Sequence, residues 1–572
     1  MSDYLIIGAL AAVIIICVSI NRHFKRKKKL RKTIQDSWSV LPENSYDEYD
    51  YKSFSQIYSF RELKSLEMTI DDITWNDLEM NSFFSLINST MTSMGDNILY
   101  YLLRTPIYNK DRFLDRLEIV DYWVNHRDNR EKTQKLLAEF GKFRPSRIDV
   151  LIDKCDFLKL RNQWAFKLLT FAPILAVPLC LFSIGYGVLW IIFSLGINVL
   201  YHESKVKEIH LGLEAVTQAI RIVVLAKKLY KNRPFGLNKK YERMKTQYNK
   251  LKPILRKGSP NSVLVGFTGN MGIDMLSLIN MVFLVDLWAY QSSIKFLESH
   301  HEDFECLIEV IGEIDATISI ASYRAHLSDE KNKALCCKPD ILWNTSSNDF
   351  NIYAEDVMHP LIKGCTPNPV YSKKPTLVTG SNASGKSTYL KTIVINTLMA
   401  HTMGFCLAKK WTSRPLFPIT SMALRDSIIN GESYFIAEIK SLKRIFSRVN
   451  SDLTCLCVID EVLRGTNTVE RIAASSQLLY ALASGNTCIF AATHDIELTY
   501  ILSEVFENKH FEEIISEDDI KFDYIIKDGK AKSRNAIKLL KIMGFSEDVI
   551  KKANIAIEVF EQQNRWTKLE GE

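Results

Sequence analysis

Nine residues, Gly380-Ser381-Asn382-Ala383-Ser384-Gly385-Lys386-Ser387-Thr388, follow the apolar run "PTLVTG" and lead into the helix-forming "TYLKTIVINTLMAH". They fit G-x-x-x-x-G-K-[ST], and the pattern binds phosphate only in the order strand, glycine loop, helix. The glycines let backbone N–H groups curl around a β-phosphate, and the helix N-terminus adds partial positive charge. Lys386 is then expected to reach the β- and γ-phosphates and Ser387 to ligate Mg²⁺. Such a loop requires a parallel α/β sheet around it. From about Pro339 onward, short β-rich runs alternate with helical stretches, as that sheet demands.

Two further strands complete the chemistry. "LTCLCVID" ends in Asp460-Glu461, an Asp to hold the metal and a Glu to orient and activate an attacking water. "NTCIFAATHD" closes on Thr493-His494, which sets His494 where it can meet a γ-phosphate or the water. No guanine-reading motif accompanies them. The expectation is therefore ATP hydrolysis with Mg²⁺, Glu461 and His494 being catalytic and Ser387 and Asp460 metal-binding.

The rest of the chain has a different character. At 572 residues it is long enough for several domains, and its formal charge of +7 is too mild to imply a partner unless it is concentrated. The 11 cysteines include no CxxC pair, so neither a zinc module nor a secreted disulfide framework is expected. "YLIIGALAAVIIICVSI", Tyr4 to Ile20, is uncharged and is followed by "NRHFKRKKKLRK". About ten strongly apolar residues at roughly −0.3 to −0.6 kcal/mol each favour insertion, and basic residues after the span argue for a retained anchor with its C-terminal side in the cytoplasm. A second uncharged region, Leu168 to Leu200, is long enough for two short spans turning at Gly185-Tyr186-Gly187. A third, near Leu276 to Leu287, is bounded by Asp274 and Asp286 and reads as a buried soluble helix. Between Lys227 and Lys257 lie twelve Lys or Arg against the single acid Glu242. That stretch suits a phosphate backbone, anionic lipid or a solvated helix face, and composition does not choose among them.

These elements predict a multi-domain chain. Residues 1–22 form a transmembrane anchor, 23–69 a basic and polar linker, 70–350 a mostly α-helical part carrying an apolar membrane hairpin at 165–201, and 351–572 an α/β ATPase domain. The expected location is the cell membrane, with the ATPase domain cytoplasmic.

Three strand-end motifs in this order resemble the core of the ABC-type ATPases. No LSGGQ-like signature of a transporter motor lies between Thr388 and Asp460; the segment instead contains Ser433-x-Phe435-x-x-Glu438. The chain resembles the MutS family of DNA mismatch repair ATPases. That family's loop has the form GPNMGGKST against GSNASGKST here, and its second motif resembles DELGRGT-S-T against Asp460-Glu-Val-Leu-Arg-Gly-Thr-Asn-Thr468. Its third resembles ATH-x-x-E-L against Ala492 to Leu498. "DDITWNDLEM", "INSTMTSMGDNILYYLLRTPI", "IGEIDATISIASY", "MHPLI" and the tail "AIKLLKIMGFSEDVIKKANIAIEVFEQ" resemble further family segments in the right order, so that roughly residues 70 to 565 are covered.

The resemblance implies a helical core and lever domain followed by the ATPase, with a C-terminal helical dimerisation segment. It gives Asn382, Lys386 and Ser387 to phosphates and magnesium, Asp460 to magnesium, Glu461 to catalysis and His494 to γ-phosphate sensing. His359 and Pro360 would pack against the adenine, and Ser433 would reach the other subunit's γ-phosphate across a homodimer. A DNA partner is implied, with the Lys227–Lys257 region and membrane lipid as further expected contacts. Two departures stand out. Only about fifty residues separate the anchor from the helical core, too few for the family's mismatch-reading domain, and the anchor and hairpin are foreign to soluble repair proteins. DNA binding coupled to ATP hydrolysis and a membrane ATPase acting on a non-DNA partner both remain open.

Overall fold

The computed structural model describes residues 18, 21–22, 24–62, 68–143, 158–160, 163–234, 236–257, 283–329, 335–343, 350–381, 384–422, 434–449, 451–464, 466–515, 520–531, 537, 540, 543–563, 565–566 and 568. All but the end of the expected anchor therefore lies outside the described residues, as do Asn382, Ala383 and Ser433. The chain forms two compact units. One comprises Met1–Ser65, Ile87–Tyr101 and Glu118–His326; the other comprises Leu66–Leu86, Leu102–Leu117 and Leu327–Glu572. Residues 66–86 and 102–117 thus fold with the α/β unit, although the division expected at residue 350 assigned them to the helical part.

The first unit is helical, and two buried acids organise one of its loops. Asp315, in the helix His301–Leu327, accepts the Met91 N–H (3.0 Å), the Thr92 N–H (2.8 Å) and the Thr92 hydroxyl (2.6 Å). Asp96 accepts from Asn88 (2.6 Å), the Thr90 hydroxyl (2.7 Å) and Lys142 Nζ (2.7 Å). Gly95 is needed for this approach, because a Cβ there would lie 2.7 Å from the Asp315 carboxyl carbon. Trp123, fully buried, donates its indole N–H to the Thr317 hydroxyl.

The apolar hairpin departs from expectation at its turn. The chain runs as Gln163–Phe171, a 3₁₀ turn Ala172–Leu175 containing Pro173, and Ala176–Phe182, then reverses at Ser183, which is extended. The returning arm is a single helix, Ile184–Lys231, of 48 residues. Gly185 and Gly187 lie inside that helix rather than at the turn. Gly187 serves close packing, since a Cβ there would lie 2.0 Å from Cys180 Sγ. Trp164–Phe182 and Ile184–Lys231 are long and apolar enough to cross a membrane by length and composition. Leu181, Phe182, Ile184, Leu189 and Leu200 on them are exposed. Of the third apolar stretch only residues 283–287 are described; Leu284 and Leu287 there are buried.

Part of the basic stretch is paired within its own unit. Arg243 meets Glu309 at 3.1 Å, Lys250 meets Asp303 at 2.7 Å, Lys240 pairs with Glu313, and Arg233 meets Glu242 at 2.7 Å. Acids of His301–Leu327 thus supply counter-charges for the basic helix Asn238–Leu251.

The second unit is built on a six-stranded sheet. Its elements are α1 (Asp72–Asp77), α2 (Met80–Ile87), β1 (Asp340–Ile341), β2 (Ile352–Val357), β3 (Asn368–Ser372), β4 (Thr376–Thr379), α3 (Lys386–Met403), β5 (Lys410–Ser413), β6 (Leu416–Ser421) and α4 (Tyr434–Phe446). They continue with β7 (Thr454–Asp460), α5 (Thr468–Ala483), β8 (Thr487–Ala492), α6 (Ile496–Ile501), β9 (Glu507–His510), β10 (Glu513–Ile515), β11 (Ile520–Phe522), β12 (Lys527–Asp528) and α7 (Glu547–Gln563). The sheet order is β12-β9-β4-β8-β7-β6, parallel except for β12. A second sheet runs β1-β5-β2-β3, and β10 pairs with β11. β7 is apolar almost throughout because a parallel strand with both faces covered has no solvated side to which polar residues could alternate. The register pairs Val378 and Asp460 each with Ala492, so β4, β7 and β8 end level with one another. Ligands of such sheets bind at that carboxyl edge.

α1 is fastened to this sheet by polar clasps. Asp77 accepts the Thr420 hydroxyl (2.6 Å) and the Met422 N–H (3.0 Å), while Asp71 pairs with Arg444 of α4.

Candidate active site

The loop after β4 opens α3 through two glycines in left-handed backbone, Gly380 (φ +148°) and Gly385 (φ +103°). A Cβ at Gly380 would lie 2.9 Å from Ser384 Oγ and 3.0 Å from the Phe511 carbonyl oxygen, so only glycine fits this crossing. Lys386 is buried and turns its Nζ back into the loop, donating to the Gly380 and Ser381 carbonyls at 2.7 Å each. Burial lowers its pKa against the opposing influence of Glu461 and Asp460.

Beside the loop, the Ser387 hydroxyl donates to Asp460 Oδ2. Asp460 Oδ1 is buried and has no hydrogen-bond partner, and neither has the buried Ser384 Oγ. A hard cation that takes oxygen ligands suits this pair of Ser and Asp oxygens, and the donor set fits Mg²⁺.

Glu461 stands in left-handed backbone (φ +61°), as does Leu463 (φ +59°). Its two carboxylate oxygens are held from opposite sides, Oε1 by His494 Nε2 and Oε2 by Arg464 Nε, each at 2.5 Å. Burial works to raise the Glu461 pKa, but the hydrogen bond and charge of His494, with Arg464 and Lys386, outweigh it and hold the carboxyl below its ordinary range. His494 Nε2 also lies 3.5 Å from Lys386 Nζ. Its own loop is fixed by Arg471 in α5, which grips Asp495 through two hydrogen bonds of 2.6 and 2.9 Å.

All of this faces one cavity of about 980 Å³, lined by Ser381, Ser384 to Tyr389, Asp460, Glu461 and His494 at one end and by His359, Cys365 and Tyr524 among others. His359 is buried, its Nδ1 accepts the Leu361 N–H, and burial with the Lys391 charge pushes its pKa down to about 4. It is neutral at physiological pH. Of the residues expected from sequence, Ser381, Ser384, Gly385, Lys386, Ser387, Thr388, His359, Asp460, Glu461 and His494 come together here, and Gly380 adjoins them through its carbonyl's bond from Lys386; Asn382, Ala383 and Ser433 lie outside the described residues. Arg464 and Tyr524 were not expected. Arg464 lies within the quoted second motif and had a signal to follow. Tyr524 enters from a distant strand connection and had none.

The class so defined is an α/β domain with a glycine-rich cradle and an acid–histidine cluster on the carboxyl edge of a parallel sheet. Residues 376–561 match the family model for MutS domain V. The chain is 30% identical over 264 residues to the DNA mismatch repair protein MutS of Aquifex pyrophilus, covering 44% of this chain and 29% of that one. It is 29% identical over 280 residues to the protein of the same name from Leptospira interrogans (46% and 31%), and 27% identical over 292 residues to that of Petrotoga mobilis (49% and 34%). This chain is thus similar to the MutS family through its residues 376–561. It spans about three tenths of the length of these curated relatives.

Proposed function

We propose that this chain is a P-loop ATPase of the MutS kind, active as a homodimer and anchored in the cell membrane by residues 1–22 and the 165–201 hairpin, with the ATPase domain in the cytoplasm. The observation that carries the reading is the meeting of Lys386, Ser387, Asp460, Glu461 and His494 around one cavity large enough for a nucleotide. ATP binds with its phosphates in the glycine loop and its base toward His359. Lys386 exchanges its loop carbonyls for phosphate oxygens. Ser387 and Asp460 would hold Mg²⁺, which when bound would neutralise phosphate charge. Glu461, kept ionised, accepts the proton of the attacking water, and His494 and Arg464 fix the direction in which it does so. Purified full-length protein should hydrolyse ATP. Lys386→Ala should weaken ATP binding about 10- to 100-fold, the value of a charge-assisted contact, and unchanged affinity in a titration with a fluorescent ATP analogue would remove the lysine from this role.

The relatives' names bring DNA as the substrate on which the dimer acts. A second reading, a membrane ATPase working on a non-DNA partner, draws support from the pairing of Arg243, Lys240 and Lys250 with acids of the same unit, which leaves less free charge for a phosphate backbone. By contrast Lys25 to Lys29, directly after the expected anchor, are exposed and suit acidic lipid headgroups. The salt dependence of DNA binding separates the two readings. A DNA role through Lys227–Lys257 gives an affinity falling steeply with salt, and neutralising Lys239, Lys240 and Arg243 together flattens that slope; absence of binding at low salt selects the non-DNA reading.

A further inference from the structure

Two consecutive turns of the loop after β7 adopt left-handed backbone without glycine, at Glu461 and Leu463. Such conformations cost of order 1 kcal/mol or more each and persist only where the surroundings hold them. Part of the restraint is evident on the strand side, where the Glu461 N–H donates to the Ala492 carbonyl at 2.9 Å. On the far side the restraint comes from Glu438. This residue lies in α4, is 3% exposed, and its Oε1 accepts the N–H of Leu463 and, at 3.4 Å, that of Arg464. Its other oxygen is buried and makes no hydrogen bond. Burying a carboxylate this thoroughly is expensive, so its retention at this point calls for a purpose beyond packing.

The geometry supplies one. Arg464, whose backbone Glu438 holds, reaches back with its guanidinium to Glu461 Oε2 at 2.5 Å and to the Asp460 carbonyl at 3.5 Å. The direction of the Glu461 carboxylate thus depends on where the Arg464 backbone is fixed. Glu438 is not among the residues lining the cavity, so it acts through the loop. We infer that Glu438 is the positioning residue of the hydrolytic site: it clamps the Leu463–Arg464 turn so that Arg464 aims the Glu461 carboxylate at the attacking water. This rests on the reading of the site as an ATPase.

The acceptor oxygen, not the negative charge, is what the clamp requires. Glu438→Gln keeps an oxygen at that reach; Glu438→Asp keeps the charge but withdraws it by one methylene; Glu438→Ala removes both. Displacing a catalytic group by about 1 Å can cost on the order of 100-fold in rate. Full-length protein in detergent is therefore expected to show kcat lowered about 10- to 100-fold by Glu438→Ala and Glu438→Asp, with the KM for ATP and the affinity for a fluorescent ATP analogue within about 3-fold of wild type, while Glu438→Gln turns over within about 3-fold of wild type. Wild-type kcat in the Asp variant overturns the inference. So does a Gln variant as slow as the Ala variant, or nucleotide affinity falling in step with kcat, which would mark a general structural role. Failure of the parent reading looks different. An inactive wild type removes the ATPase and the inference together, whereas an active wild type, stopped by Glu461→Gln but indifferent to changes at Glu438, removes the inference alone.

Discussion

Glu461→Gln is expected to lower the ATP turnover number by about 10²–10³-fold while leaving ATP bound, the loss typical of a removed general base. The amide preserves the shape of the side chain and one acceptor oxygen for His494 or Arg464, so the loop keeps its restraints. What disappears is a carboxylate that these two partners hold ionised below its ordinary pKa, and with it the ability to take the water's proton. A single-turnover measurement separates the two consequences: the variant should retain a stoichiometric complement of uncleaved ATP where wild type converts it to ADP. Turnover at the wild-type rate would exclude Glu461 as the base and leave His494, which like Arg464 contacts it but unlike a guanidinium can accept a proton, to be tried in its place.

The parts of this site that sequence exposes are those in which chemistry and local structure are coded by neighbouring residues. Gly380 to Thr388 specify strand, turn and helix within a dozen positions, and Asp460-Glu461 and Thr493-His494 each sit where an apolar run stops. Parallel strands then bring these ends level without further instruction. What sequence hides is whatever depends on a distant partner. Glu438 precedes Leu463 by 25 residues and its clamp is a side-chain-to-backbone contact, which no residue pattern encodes. Residues 66–86 join the α/β unit through Asp77 and Thr420, 343 positions apart, so a linear division of the chain assigns them elsewhere. The basic stretch reads as a free positive surface for the same reason: Arg243 and Lys250 find their acids 66 and 53 positions later. At the hairpin, glycine reads as a turn signal in the sequence, whereas in the fold it permits close packing at Gly187 and the turn falls to Ser183.

Asp315→Ala is expected to cost the helical unit about 3 kcal/mol or more, because it strands the Met91 and Thr92 N–H groups and the Thr92 hydroxyl in a buried place, at roughly 1–3 kcal/mol for each unsatisfied group. Hydrogen exchange checks this locally: amides of residues 88–100 should lose protection in the variant while those of β7 and β8 keep theirs. The pH dependence has a definite sign. Burial raises the Asp315 carboxyl from 3.8 to about 6, against the lowering effect of its hydrogen bonds to Thr92 and Met91. The folded unit therefore holds this proton more tightly than the unfolded chain. Its contribution to stability is fully present below pH ~4 and is lost as pH rises through about 6, amounting to ~3 kcal/mol at ~1.4 kcal/mol per pH unit. Asp315→Asn, which cannot titrate, should lack that share of the slope between pH 4 and 7 when denaturant unfolding is followed by Trp123 fluorescence. Parallel slopes in the two proteins would mean that Asp315 is ionised throughout, its donors together outweighing the cost of its burial.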